Sequence, residues 1–213
     1  MCSRKIKLSG AVSLPNHCYN ILTVTGPTSE LATFCNYGLQ KDEESITSCP
    51  DLDYLYPIPG NLSRADDPGI LSKSEYNWKV DNWGTKWNTY SDVGVGVIRS
   101  EVSNRLIAVQ CEFESAWAPP SGAIQVGSNK FPNLNFTLEY AEPGMMFKGV
   151  ALYNNGKEYF DYSEMNLSEE EWDDPDTYAR MEDDIQIAHI TALREDINPS
   201  TITRHVRFEG DMM

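Results

Sequence analysis

The sequence lacks several features that mark common functional classes. It contains no continuous apolar run of about 18 residues, which argues against a membrane-spanning helix. Its N-terminus also lacks the unbroken apolar segment of an export signal. The five cysteines are odd in number and none are spaced C-x-x-C, and the three histidines have no ligand spacing. We therefore expect a cytoplasmic protein that needs no disulfide, metal or cofactor.

Motifs for phosphate binding and nucleophilic catalysis are missing as well. The stretch "DVGVGVIRS" has two glycines but lacks the later glycine of a dinucleotide fingerprint. His17 and Cys18 are adjacent in a predicted strand, where neighbours point to opposite faces, so they are poorly placed as a catalytic pair. These absences favour a protein that is not an enzyme.

Basic residues are scarce and unevenly placed. The chain has 17 Lys and Arg against 32 Asp and Glu, a net charge of −15. Residues 1–160 hold 13 basic and 17 acidic residues, a balance of −4, whereas residues 161–213 hold 4 and 15, a balance of −11. Such a surface repels nucleic-acid phosphates and attracts basic proteins. We expect a protein partner with a basic surface, and no direct binding of nucleic acid.

The first half of the chain predicts a strand, a helix and a long ordered loop. β-branched and aromatic residues predict a strand over 18–26, and a helix follows over 28–39. Thr28 is the expected N-cap of that helix, and Gly38 marks its end. Residues 41–73 have many turn residues and little periodicity, but they are too apolar for a flexible linker.

A second helix is predicted by four aromatic and aliphatic residues at helical spacing, with Ser74 as its N-cap. These residues follow i, i+4, i+7 and i+11: Tyr76, Val80, Trp83 and Trp87. Gly84 lies inside the pattern and costs about 1 kcal/mol relative to alanine. A glycine here indicates either close packing against the backbone or a helix that breaks before Trp87.

The second half of the chain predicts two hairpins with a helix and a strand between them. Residues 92–100 and 105–114 are predicted to pair as a hairpin, and the second of them alternates with one apolar face. Pro119-Pro120 are predicted at the start of a short helix, and 134–140 form a strand. Asn155-Gly156 predicts the two-residue turn of the last hairpin. The order is the β-α-β-β-α-β plan of an antiparallel, ferredoxin-like α+β domain, with an added hairpin.

This plan predicts three regions of the chain. Residues 1–15 are an N-terminal extension, 16–162 the ferredoxin-like domain, and 163–213 an acidic helical extension. Ser168, which is followed by acidic residues, is a suitable N-cap for the first helix of the last region.

Three separated stretches resemble a known family. They are "NHCYNILTVTGP", "YNWKVDNWGTKWN" and "FESAWAPPSGAI", the last continuing through "FPNLNFTLEYAEPG" and "FKGV". Together they resemble the YubB-like group of plasmid and phage proteins over about residues 16–160. The resemblance implies a ferredoxin-like domain, a mobile-element origin and a bacterial cytoplasm, but no reaction and no catalytic residue. The acidic extension is not part of the family pattern.

The tryptophan segment suggests a candidate ligand pocket. Its residues are Trp83, Lys86, Trp87 and Trp117. Indole faces could stack on a nucleotide-like ring while the lysine contacts an anion or a ring face. Core packing is the alternative, because aromatic residues at helical spacing most often fix a helix against a sheet.

Two glutamates on one strand raise a second possibility. Glu112 and Glu114 are two residues apart and therefore share a face of the strand. Paired carboxylates can act as acid and base or hold a metal. We favour the simpler interpretation, in which they lie on the solvent face of a hairpin.

The acidic extension suggests a surface for a partner protein. The carboxylates expected to form it are Glu169, Glu170, Glu171, Asp173, Asp174, Glu182, Asp183 and Asp184. Carboxylates on helices can mimic nucleic-acid phosphates and occupy a basic groove. The leading hypothesis is a non-enzymatic accessory protein that binds a host protein, as an inhibitor of a defence or nucleic-acid-processing complex. The alternative is a small-molecule binder or enzyme that uses the Trp/Lys pocket.

Overall fold

The computed structural model describes residues 16–41, 46–60, 62, 73–91, 96–99, 103–164 and 167–172. The predicted N-terminal extension and most of the acidic extension lie outside this part of the chain. None of the described helices is long and apolar enough to span a membrane.

The described residues form eight strands and five helices. The strands are β1 (His17–Thr25), β2 (Leu39–Lys41), β3 (Ile46–Pro50), β4 (Gly96–Arg99), β5 (Leu106–Ala116), β6 (Asn135–Glu142), β7 (Phe147–Asn154) and β8 (Lys157–Glu164). The helices are α1 (Thr28–Tyr37), α2 (Leu52–Leu55), α3 (Lys73–Trp83), α4 (Ser121–Ser128) and α5 (Glu169–Trp172). The predicted strands and the helices α1 and α4 are all found within a few residues of their expected bounds.

Six of the strands form one antiparallel sheet in the order β4-β5-β1-β6-β7-β8. The first four have the order of a ferredoxin-like domain: the first and third strands of the plan are central, with the fourth and second outside them. β7 and β8 extend the sheet beyond β6 as the added hairpin. The predicted fold class is confirmed.

Alternation along the central strands divides the sheet into two faces. On β1 the residues Cys18, Asn20, Leu22 and Val24 are buried, and they face the core that α1 and α4 cover. Phe34 of α1 packs edge-on against Phe136 of β6 in this core. We call this side the inner face. The outer face carries the intervening residues of each strand.

Two predicted helix caps are wrong. The N-cap of α1 is Pro27, whose carbonyl accepts the first helical bonds, and Thr28 instead donates its hydroxyl to the Leu106 carbonyl at 2.7 Å. The hydroxyl thereby ties α1 to β5. Ser74 lies inside α3, which begins at Lys73. Gly38 does end α1, as predicted.

The predicted loop over 41–73 contains more regular structure than expected. β2 and β3 form a small two-stranded sheet, and α2 follows with Asp51 as its N-cap. Leu52 and Leu55 of α2 are buried in the core. The apolar residues that argued against a flexible linker therefore contribute to the core, whereas the loop assignment is wrong for these stretches.

Helix α3 buries a different face from the predicted one. Val80 is exposed, and the buried positions are Glu75, Lys79 and Trp83, spaced i, i+4 and i+8. Glu75 and Lys79 form a salt bridge of 2.9 Å, and the lysine Nζ lies 5.1 Å from the Trp83 ring centroid. An ion pair satisfies both charges, which allows polar residues to occupy the buried face.

The last hairpin forms as predicted. Asn155 (φ 46°) and Gly156 (φ 76°) both have left-handed backbone, the requirement of a type I′ turn. β8 continues to Glu164, so the domain boundary drawn at residue 162 falls inside this strand. Glu171 accepts hydrogen bonds from the Ser168 amide and hydroxyl, and its own amide donates to the Ser168 hydroxyl. This capping box agrees with Ser168 as an N-cap.

Candidate functional site

The segment after helix α3 leaves the helix at a sharp break. Gly84 has φ +89°, and a Cβ at this position would lie 2.7 Å from the Pro119 carbonyl oxygen. Gly122 lies at the same junction, because a Cβ built on it would overlap with the Asn82 carbonyl oxygen. Two glycines thus let the end of α3 pack directly on the chain that enters α4. The helix ends at Trp83, and Trp87 lies beyond it.

Residues 85–90 then run beside the end of strand β5. The Thr85 hydroxyl donates to the Ala116 carbonyl (3.1 Å) and accepts from the Ala116 amide (3.0 Å), in place of a backbone partner. Tyr90 and Glu114 exchange two backbone hydrogen bonds as an isolated antiparallel bridge. The segment is therefore attached to the sheet at both of its ends.

On its other side, this segment is hydrogen-bonded to strands β2 and β3 and to helix α2. The Asn88 side chain accepts from the Leu52 amide (2.9 Å) and donates to the Asp51 carboxylate (3.1 Å). The buried Thr89 hydroxyl donates to the Pro50 carbonyl at 2.6 Å, and Gln40 donates to the Thr89 carbonyl at 2.7 Å. These bonds fix the backbone on which Lys86 and Trp87 are mounted.

Lys86 lies between two indole rings. Its Nζ is 4.2 Å from the Trp87 ring centroid and 3.9 Å from the Trp117 ring centroid. Each cation–π contact contributes about 0.5–1 kcal/mol when exposed and about 2 kcal/mol when desolvated. Burial beside the rings lowers the pKa of Lys86 below its ordinary value. We call Lys86, Trp87 and Trp117 the Trp–Lys–Trp stack.

Trp117 is presented to solvent by a strained backbone. Its φ of +70° is left-handed, which is unusual for a large side chain. Its amide donates to the Asn16 carbonyl at 2.9 Å, and Pro119-Pro120 follow after Ala118. The residue is 38% exposed. Backbone strain of this kind is typical of functional positions when the surroundings hold the chain in place.

Trp83 lies apart from the stack, in the core. It is fully buried, and its Nε1 donates to the Tyr56 carbonyl at 2.8 Å. Trp78 packs edge-on against it, with ring centroids 6.0 Å apart. Of the four candidate ligand residues, the structure brings together Lys86, Trp87 and Trp117, whereas Trp83 serves packing.

The structure also assembles a cluster that was not predicted from the sequence. The His17 Nδ1 contacts the Glu114 carboxylate and lies 2.6 Å from the Tyr90 hydroxyl. The His17 and Tyr90 rings meet edge to face, with centroids 5.7 Å apart. Burial, followed by the Glu114 carboxylate, raises the pKa of Tyr90 to about 12. His17 and Glu114 are 97 residues apart in sequence, and only the pairing of β1 with β5 brings them together.

Glu112 and Glu114 lie on the outer face and are both partly exposed, which agrees with the solvent-face interpretation. Among the described residues no group of three or more His, Cys, Asp and Glu side chains could hold a metal ion. Cys18 is buried, and burial raises the pKa of its thiol to about 12, so it is a poor nucleophile.

Part of the predicted acidic partner surface can be placed. Glu169, Glu170 and Glu171 belong to the short helix α5, and Glu170 and Glu171 are exposed. The Leu167 amide donates to the Met146 carbonyl at 3.0 Å, which ties the start of this region to the β6–β7 turn. Asp173, Asp174, Glu182, Asp183 and Asp184 lie outside the described residues.

One comparison with known proteins, a match to a family model, supports the fold. A family model described as the ferredoxin-like domain in Api92-like protein matches residues 82–182, a range that includes the Trp–Lys–Trp stack. The crystal structure of a protein api92 from Yersinia pseudotuberculosis matches with 10% sequence identity and a TM-score of 0.47, over 73% of this chain and 99% of that chain. No curated protein matches the sequence. Residues 82–182 are thus similar to the ferredoxin-like domain of Api92-like proteins.

Proposed function

We propose that this chain is a non-enzymatic binding protein that holds a protein partner through the Trp–Lys–Trp stack. One observation carries the proposal: the Lys86 Nζ lies 4.2 Å and 3.9 Å from the centroids of the two indole rings while Trp117 stays 38% exposed. The rings are therefore offered as a rigid surface rather than as an open slot for a flat ligand. Tryptophan anchors of this kind supply much of the binding energy at protein interfaces.

The support around the stack favours the same function. Hydrogen bonds from Thr85, Asn88 and Thr89 hold the segment before any partner arrives. A surface that is ordered in advance loses less conformational entropy on binding. The net charge of −15 adds long-range attraction for a basic partner.

The resemblance to the YubB-like group adds a biological setting to this proposal. The protein would act in the cytoplasm of a bacterium that carries a phage or plasmid. Its partner would be a host defence complex or another nucleic-acid-processing complex, which it would inhibit. In that setting the carboxylates of helix α5 and of residues 173–184 contribute a second, acidic contact to a basic groove.

The test is retention of a partner by the tagged full-length chain from bacterial lysate. Trp117→Ala should weaken retention by about 30-fold, the effect of losing an anchor worth about 2 kcal/mol. Tyr37→Ala is the matched control, because Tyr37 is an exposed aromatic residue on α1. Charge reversal of Glu169, Glu170 and Glu171 should weaken retention chiefly at low salt. Equal recovery by Trp117→Ala and the unmutated chain would refute the proposal.

Binding of a small anion is the second candidate, and one observation favours it. Lys86 has ring contacts but no salt bridge within the described part of this acidic protein. A nucleotide or metabolite anion could supply the missing negative charge. A thermal-shift screen of nucleotides and metabolites separates the candidates: a shift that Lys86→Ala removes favours the small ligand, and no shift with the unmutated chain excludes it.

A further inference from the structure

A group of aromatic rings surrounds one carboxylate on the outer face of the sheet. Tyr19 is directly opposite Glu114 in the β1–β5 register, and it is 53% exposed. His17 Nδ1 contacts the Glu114 carboxylate, and the Tyr90 hydroxyl lies 2.6 Å from the same nitrogen. The side chains of His17 and Glu114 are 42% and 31% exposed, so solvent reaches both. We call these four residues the Glu114 cup.

Neighbouring side chains contact the carboxylate in the cup. His17 and Tyr90 lie at hydrogen-bond distance from each other, and His17 contacts Glu114. A carboxylate offers about four acceptor positions, and these two neighbours occupy at most two of them. The side towards Tyr19 therefore keeps acceptor capacity next to an exposed ring. Residues directly opposite on antiparallel strands have Cβ atoms about 5 Å apart, so one ligand group can contact both.

We propose that the Glu114 cup binds an arginine side chain of the protein partner. This inference rests on the proposed function and specifies the chemistry of the partner. A guanidinium is planar, so it stacks on the Tyr19 ring while its N–H groups donate to the Glu114 carboxylate. Lysine fits this arrangement less well, because its ammonium is a strongly hydrated point charge that cannot stack or donate as a fork.

The charge of the surrounding face supports a cationic ligand. Besides Glu114, the outer-face positions of β1, β5 and β6 include Glu112 and Glu139, which lie on either side of Ile21 in the register. These outer-face positions include no lysine or arginine within the three described strands. The carboxylates of these three strands therefore attract a cation, although Lys148 of β7 lies on the same face opposite Ala141, and the cup adds the directional contacts that select arginine.

The experiment is a titration of the isotope-labelled full-length chain, followed by amide chemical shifts. The probe is a blocked glycine peptide with two arginines, compared with peptides that carry lysine or the uncharged arginine analogue citrulline. The arginine peptide should shift the amides of Tyr19 and Glu114 most and bind several-fold more tightly than the lysine peptide. Glu114→Gln should weaken its binding by about tenfold, and Tyr19→Ala by about two- to fivefold.

Two matched variants decide between a local site and a diffuse field. Glu139→Gln removes the same charge from the same face, and Tyr37→Ala removes an exposed tyrosine from α1. Both should leave arginine binding nearly unchanged. The cup is overturned if Glu139→Gln weakens binding as much as Glu114→Gln, if Tyr19→Ala has no effect, or if citrulline binds equally well. It is also overturned if the peptide displaces residues 1–15, which carry Arg4, Lys5 and Lys7, from the cup of the free protein.

The test of the cup and the test of the proposed function can fail independently of each other. Trp117 and Lys86 are not part of the cup, so Trp117→Ala should leave arginine-peptide binding unchanged. If the arginine peptide fails to bind while Trp117→Ala still weakens partner retention, the cup fails alone. If the peptide binds as expected while Trp117→Ala has no effect on a retained partner, the cup stands and the Trp–Lys–Trp stack loses its role.

Discussion

Trp83 and Trp87 are four residues apart in sequence but lie in different environments. Trp83 ends helix α3 inside the core, where its Nε1 donates to the Tyr56 carbonyl. Trp87 lies four residues later in a non-helical segment and packs against Lys86. Its buried Nε1 finds no acceptor among the described residues. The spacing of four predicts one helical face for both tryptophans. Because the helix breaks at Gly84, Trp83 lies in the core and Trp87 lies in the Trp–Lys–Trp stack.

The comparison shows how a short segment can serve both stability and binding. The core tryptophan and the glycines at 84 and 122 fix the junction between α3 and α4. That junction sets where residues 85–90 lie along β5, and so where the Trp–Lys–Trp stack meets solvent. The stack is therefore positioned by the core, although it adds little to the core itself.

The largest effect that this difference predicts is on stability. Trp83→Ala should lower the free energy of unfolding by about 3–5 kcal/mol, because it removes a fully buried indole and leaves a cavity. Trp117→Ala should cost far less, since that residue is partly exposed. Urea denaturation of the two variants measures both values. Equal losses would mean that the stack is as much a part of the core as Trp83.

Much of the fold could be predicted because its signals are local. Alternation predicted β5, and Asn155-Gly156 predicted the last turn, since each depends on residues close together in sequence. The buried face of α3 could not be predicted in this way. Glu75 and Lys79 are buried as an ion pair, and a pattern based on apolar residues assigns such positions to solvent.

The candidate site could be predicted only in part, for a related reason. The tryptophans and Lys86 stand out in the sequence. Trp117, however, which contacts Lys86, is 31 residues later, after the β4–β5 hairpin. The His17–Glu114–Tyr90 contacts depend on the register of β1 with β5 and on the bridge at Tyr90. Each residue alone is unremarkable, so no pattern in the sequence indicates the cluster.

A substitution at Gly84, where helix α3 breaks, should cause the next largest loss of stability. Gly84→Ala forces a side chain onto a left-handed backbone, at about 1–2 kcal/mol. It also brings a Cβ to 2.7 Å from the Pro119 carbonyl, so the total loss of stability should be about 2–4 kcal/mol. Gly60→Ala is the control, because nothing lies within 4 Å of its added Cβ. Thermal unfolding that shows equal effects for both would contradict the role given to Gly84.

The attachment of the segment to β5 can be weakened without touching either tryptophan. Thr85→Val keeps the shape of the side chain but leaves the buried amide and carbonyl of Ala116 without their partner. The expected loss is about 1–3 kcal/mol. Thr33→Val is the control, since the Thr33 hydroxyl is bonded on the exposed surface of α1. Partner retention should fall further than stability alone explains, because the stack would lose its fixed position.

The smallest effect concerns the stack itself, and it requires a double-mutant cycle. Lys86→Met keeps an unbranched side chain of similar length but removes the charge, and Trp117→Leu removes the ring. If the cation–π contact of 3.9 Å is formed in solution, the two changes should be non-additive by about 0.5–1 kcal/mol in unfolding free energy. Strict additivity would show that Lys86 and Trp117 do not interact. The partner would then meet two independent side chains instead of one rigid surface, and Lys86→Met would leave the contribution of Trp117 to partner binding unchanged.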